Sequence, residues 1–109
     1  MLESLFGTVN REKVLIFLQA RGEGYPREIA EFFKTDLRAI QNQLEKLEQG
    51  GVIYSRMIGR TRLYSFNPRY PFLKELQTLL EKALEFYPAE EKNRFTPERS
   101  RPRRKGKPL

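Results

Sequence analysis

Apolar residues recur along this chain with two different periods, and the change of period divides it. Val9, Val14, Leu15, Phe17 and Leu18 follow helical spacing behind Thr8 and Asn10, either of which can cap the helix. Gly22 and Gly24 supply the backbone freedom that ends it. Pro26 suits the first turn of a short helix over residues 26–33 that buries Ile29, Ala30 and Phe33, because its missing N–H would be unpaired there anyway. A joint of Phe33, Lys34 and Thr35 leads to Asp36, a good N-cap. The strongest helical pattern follows over residues 37–49, where Leu37, Ile40, Leu44 and Leu47 lie on one stripe. Gly50-Gly51 stops it.

The period then shortens. Residues 52–57 and 61–66 are rich in β-branched and aromatic side chains, and the joint Ile58-Gly59-Arg60 predicts a β-hairpin turning at Gly59. Asn67-Pro68 ends it. Helical spacing returns over residues 70–87, where Phe72, Leu73, Leu76, Leu79, Leu80, Ala83, Leu84 and Phe86 make a wide apolar face, and Pro88 closes the ordered part. The expected class is mostly α with a small β-hairpin (α+β): three helices, a two-stranded hairpin, then a long helix. The expected divisions are 1–69, 70–88 and a basic tail over 89–109.

Composition removes most chemistry. The 109 residues include neither Cys nor His, which excludes disulfides, zinc knuckles, thiol catalysis, Ser–His triads and most transition-metal sites. No apolar run approaches the roughly 20 residues of a membrane span, and no signal-peptide core is present at the N-terminus. A cytoplasmic protein without cofactor is expected. Asp36 and the glutamates could hold Mg²⁺ through oxygen ligands, but the glutamates are interleaved with Lys and Arg as on a solvated face. No Gly-rich phosphate loop is present. An enzyme is not expected.

The formal charge of +7 is unevenly placed. Residues 1–87 hold 13 basic and 11 acidic side chains, a net +2; residues 88–109 hold 8 and 3, a net +5. After Phe95 the chain has almost nothing to bury, and Arg101, Arg103, Arg104, Lys105 and Lys107 are expected in a disordered tail. Such a tail can hold nucleic acid through phosphates without reading sequence, or simply aid solubility.

Two helices joined by a short turn make a helix-turn-helix, and the B-DNA major groove, about 12 Å wide, admits one helix. On a wheel of residues 36–49, Arg38, Asn42, Glu45 and Gln49 oppose the apolar stripe, with Gln41 and Lys46 on its flanks. Arg38, Gln41 and Asn42 are types suited to base edges, Arg to guanine and Asn or Gln to adenine, whereas Lys46 suits a phosphate. Arg56, Arg60 and Arg62 cluster at the hairpin tip, within a stretch (52–66) that holds no acid. From there they could reach a minor groove or the backbone. The same arginines could instead protect exposed strand edges.

The stretch from Leu5-Phe6-Gly7 to Tyr64-Ser65-Phe66-Asn67 resembles the ArsR-like winged-helix transcriptional regulators, above all the bacterial and archaeal branch often found beside nucleotidyltransferase domains. Four pieces carry the resemblance: Arg27-Glu28-Ile29-Ala30, Ala39 through Glu48, Gly51-Val52-Ile53, and Gly59-Arg60-Thr61-Arg62-Leu63-Tyr64. It implies a winged helix with one helix in the major groove and the hairpin, its wing, beside it. The family's DNA-contacting positions fall on Arg38, Gln41, Asn42, Arg60 and Arg62. Asp36 stands where Ser is commoner, and its charge would face phosphate unless turned inward. Metal sensing through Cys or His does not carry over, and no nucleotidyltransferase segment is present.

The helix over 70–87 carries more apolar surface than a small domain needs from one helix. Leu73, Leu76, Leu80 and Leu84 are the expected dimerisation stripe. A two-fold dimer would set two recognition helices about 34–36 Å apart on DNA. The alternative is packing within the chain. The functional expectation is a sequence-specific double-stranded DNA-binding regulator acting as a homodimer. The alternatives from other classes are a winged-helix adaptor for a protein partner and an RNA-associated protein using its tail. Arg38, Lys46, Arg60 and Arg62 on one surface would favour DNA; scattered placement would favour the adaptor.

Overall fold

The computed structural model describes residues 1–95. Six helices and three strands follow in the order α1 (Glu3–Phe6), α2 (Val9–Arg21), β1 (Glu23–Gly24), α3 (Pro26–Phe33), α4 (Leu37–Gln49), β2 (Ile53–Ile58), β3 (Thr61–Phe66), α5 (Leu73–Glu85) and α6 (Ala89–Phe95). Helix α2 is the central element. Its Val14, Leu15, Ile16, Phe17 and Leu18 are all buried, a continuous run possible only where neighbours cover every side. Ile29 of α3, Ile40 and Leu44 of α4, Ile53 of β2 and Leu80 of α5 complete the core around it.

Local chemistry sets the helix ends. The Thr8 side chain accepts from Arg11 N–H at 3.0 Å, choosing between the two expected caps of α2. Pro26 opens α3, and the Glu28 carboxylate accepts from Tyr25 N–H. Asp36 accepts from Ala39 N–H at 3.1 Å, so its charge is directed at the start of α4, where a negative group is favoured. Helices α3 and α4 fall on the expected spans, although Phe33 is half-buried rather than buried.

The sheet differs from expectation in two ways. It has three strands, in the order β1-β3-β2, because Glu23 and Gly24 pair antiparallel with Ser65 and Tyr64. A Cβ on Gly24 would meet Phe17 Cε1 at 2.8 Å, so the close approach of strand to helix requires glycine there. The hairpin also closes more tightly than a three-residue joint. Ile58 pairs with Thr61, leaving Gly59 (φ +63°) and Arg60 as a two-residue turn.

The C-terminal region differs as well. Helix α5 starts at Leu73 rather than residue 70, behind turns in which Tyr70 N–H bonds to the Asn67 carbonyl and Leu73 N–H to that of Tyr70. Leu80 is wholly buried, and Leu76 and Leu84 are half-buried against the same core, so α5 closes its own domain with this stripe. Pro88 does not end the order: Ala89–Phe95 is helical, and Phe95 is buried among Phe32, Phe33 and Tyr87. The rest of the expected tail, residues 96–109, lies outside the described residues. Among the described residues no helix is long and apolar enough to cross a membrane, and no acidic cluster could hold a metal ion.

Candidate nucleic-acid interface

Helices α3 and α4 meet at a turn of Lys34, Thr35 and Asp36. Lys34 adopts the left-handed conformation (φ +53°), and Lys13 Nζ donates to Thr35 Oγ1 at 2.9 Å. The buried side of α4 is Ile40, Gln43, Leu44 and Leu47. Burial of Gln43 is made tolerable by Arg11, whose Nε donates to Gln43 Oε1 at 2.9 Å while its Nη1 donates to the Phe6 carbonyl at 2.8 Å. Among the described residues the opposite side of α4, with Arg38, Asn42, Glu45 and Gln49, is exposed.

Between that exposed side and the hairpin lies an open groove of about 510 Å³. Leu37, Arg38, Gln41 and Glu45 line it from α4, and Arg60, Thr61, Arg62 and Tyr64 from the hairpin. Pro26 and Arg27 line it from α3. It therefore holds four guanidinium groups and one carboxylate. Among the described residues none of these four arginines is in an ion pair. Arg62 is oriented instead by hydrogen bonds: its Nη1 donates to Ser55 Oγ at 3.1 Å, and that hydroxyl donates to Glu48 Oε2 at 2.7 Å. Burial, with Glu48 close by, raises the Tyr64 hydroxyl above the usual tyrosine value, so it stays neutral.

Of the residues singled out in the sequence, the groove collects Arg38, Gln41, Arg60 and Arg62. Asn42 and Lys46 are exposed on α4 but do not line it. Arg56 is on the other face of the hairpin. It sits opposite Leu63 rather than Arg62, and its Nη2 is 3.6 Å from Glu23 Oε1. Arg27 joins the groove although it is not among the expected DNA-contacting positions. The first turn of α3 contributes it, directly after β1 has paired with β3.

A helix-turn-helix followed by an antiparallel hairpin flanking its second helix is a winged helix. Two solved structures share the arrangement. A double mutant of Lactococcus lactis ZitR in apo form superposes with a TM-score of 0.55 at 27% identity, covering 91% of this chain and 77% of that one. A single mutant of the same protein gives 0.55 at 32% identity, covering 85% and 65%. The chain is therefore built as a winged helix. No protein-family model and no curated protein matches it.

Proposed function

We propose that this winged helix is a sequence-specific, double-stranded DNA-binding transcriptional regulator of the ArsR-like branch. In this reading α4 enters the major groove, with Arg38 and Gln41 facing base edges and Asn42 beside them. Lys46 takes a phosphate, and Arg60 and Arg62 follow the backbone or the minor groove. The observation that carries the reading is the groove in which Arg27, Arg38, Arg60 and Arg62 converge unpaired between a helix of DNA-reading size and its wing. Arginines with no ion-pair partner are ready to release counterions from phosphate. Similarity to ZitR supports the same class. The basic segment beyond residue 95 would add phosphate contacts.

The regulator acts as a homodimer in this reading, through residues other than those that close the core. Phe72 and Phe86 are 63% and 67% exposed. With the half-buried Leu79 of α5 they recur every seven residues, Phe72 and Phe86 at the two ends of the helix, and this apolar stripe is the proposed contact. Of the expected dimerisation residues only Leu73 borders this stripe, whereas Leu76, Leu80 and Leu84 pack on the chain's own core.

Selection from a random duplex library, with excess nonspecific DNA at near-physiological salt, tests the proposal. An enriched motif with inverted half-sites is the expected result. Binding that vanishes as salt rises, with no motif, would remove the sequence-reading function and turn attention to a protein or RNA partner.

A further inference from the structure

We propose that α6 is a clasp that fixes the geometry of the helix-turn-helix, with Arg94 as its positioning residue. The last carbonyls of a helix need donors from elsewhere, and three of those of α3 find them locally. Ala30 O accepts from Lys34 N–H and Thr35 N–H, Glu31 O from Lys34 N–H, and Phe33 O from Thr35 Oγ1. The fourth, Phe32 O, accepts from Arg94 Nη2, across 62 positions of sequence. The same guanidinium lies 4.2 Å from the centroid of the Phe32 ring. A cation there also suits the negative end of the helix.

The clasp is itself held down. Phe95 stacks on Phe32 with ring centroids 4.8 Å apart. Arg21 donates from Nε to Phe95 O and from Nη2 to Arg94 O, both at 2.9 Å, with its guanidinium over Phe17 and Phe32. The segment this fixes carries strain, because Lys34 is the one non-glycine among the described residues with positive φ. That turn sets the angle of α4 against α3, and so the direction of Arg38.

The test uses the full chain with Arg94→Ala and Arg94→Lys. Amide hydrogen exchange is read at Lys34 and Thr35 in the turn and at Phe17 and Leu18 in the core. Binding is read as the preference for the library-enriched duplex over a scrambled one. Arg94→Ala is expected to speed exchange at the two turn amides about tenfold, with Phe17 and Leu18 unchanged. It should also lower the duplex preference, and Arg94→Lys should restore most of both, since an ammonium can still donate to Phe32 O. Unchanged turn exchange would overturn the clasp, as would equal acceleration at all four amides. Faster turn exchange with an unchanged duplex preference would overturn the positioning role. The binding arm rests on the proposed function; if no duplex is enriched, that function fails while the exchange arm still decides the clasp.

Discussion

Arg56 and Arg62 leave the hairpin on opposite faces. The first is 3.6 Å from Glu23 on β1, and the second bonds to Ser55 and faces α4 across the groove. Two arginines six residues apart in one small wing therefore have different partners. Arg62→Ala should weaken duplex binding of most sequences alike and lower the salt dependence by about one unit. Arg56→Ala should leave both nearly unchanged. Titrations of the two variants at several salt concentrations check this, and equal losses would mean that the wing docks through both faces.

Arg38 is the groove arginine that α4 carries. Its replacement by Ala should cost about 1–3 kcal/mol against the preferred duplex if it reads a guanine. It should cost much less against a scrambled one. Repeating the library selection with the variant would then give a motif degenerate at one position per half-site. An unaltered motif would place base reading elsewhere on α4.

Burial and exposure along α5 separate assembly from stability. Leu79→Glu with Phe86→Ser should convert a dimer to a monomer in sedimentation while leaving the melting transition nearly intact. Leu80→Ala should do the reverse, lowering stability by about 2–5 kcal/mol through the cavity it opens. If the outer pair leaves sedimentation unchanged, α5 is not the dimer contact.

Tyr87 ties α5 to the start of the chain, since its hydroxyl donates to Glu12 Oε2 at 2.8 Å. Glu12 is buried and also accepts from Leu2 N–H at 2.7 Å. Burial first, and then the Glu12 carboxylate, push the Tyr87 hydroxyl well above its ordinary value of 10.0. The folded state thus keeps a proton that the unfolded chain gives up above pH 10.0. This contribution is complete below that pH and declines as pH rises beyond it. Tyr87→Phe should cost about 1–2 kcal/mol at neutral pH. The variant should also lose less stability than the parent between pH 9 and 11, as denaturant melts across that range would show.

The parts legible in the sequence are those set by local chemistry. Helices α3 and α4 fall on their expected spans because Pro26, Asp36 and Gly50-Gly51 act on their nearest neighbours. Strand β1 is two residues long and has no alternation to read; it exists only through pairing with residues some 40 positions away. Helix α6 reads as a charged stretch because Phe32 and Phe33, against which Phe95 packs, are distant in sequence. The misplacement of Arg56 has a different origin. A three-residue joint would set Arg56 opposite Arg62, on one face. The two-residue turn sets it opposite Leu63, and one step of register reverses every side chain.

The contact at Gly24 gives the wing a fulcrum. Phe17 Cε1, 2.8 Å from the position a Cβ would occupy, leaves no room for a larger residue without lifting β1, and β1 is paired with the root of β3. From that root to Arg60 the strand extends roughly 15 Å at about 3.4 Å per residue. A tilt of about 10° at the root would displace the tip by nearly 3 Å, about one hydrogen-bond length. The reach of Arg60 is thus metered by a missing methyl group at the root of the wing, where β1 meets the hydrophobic core.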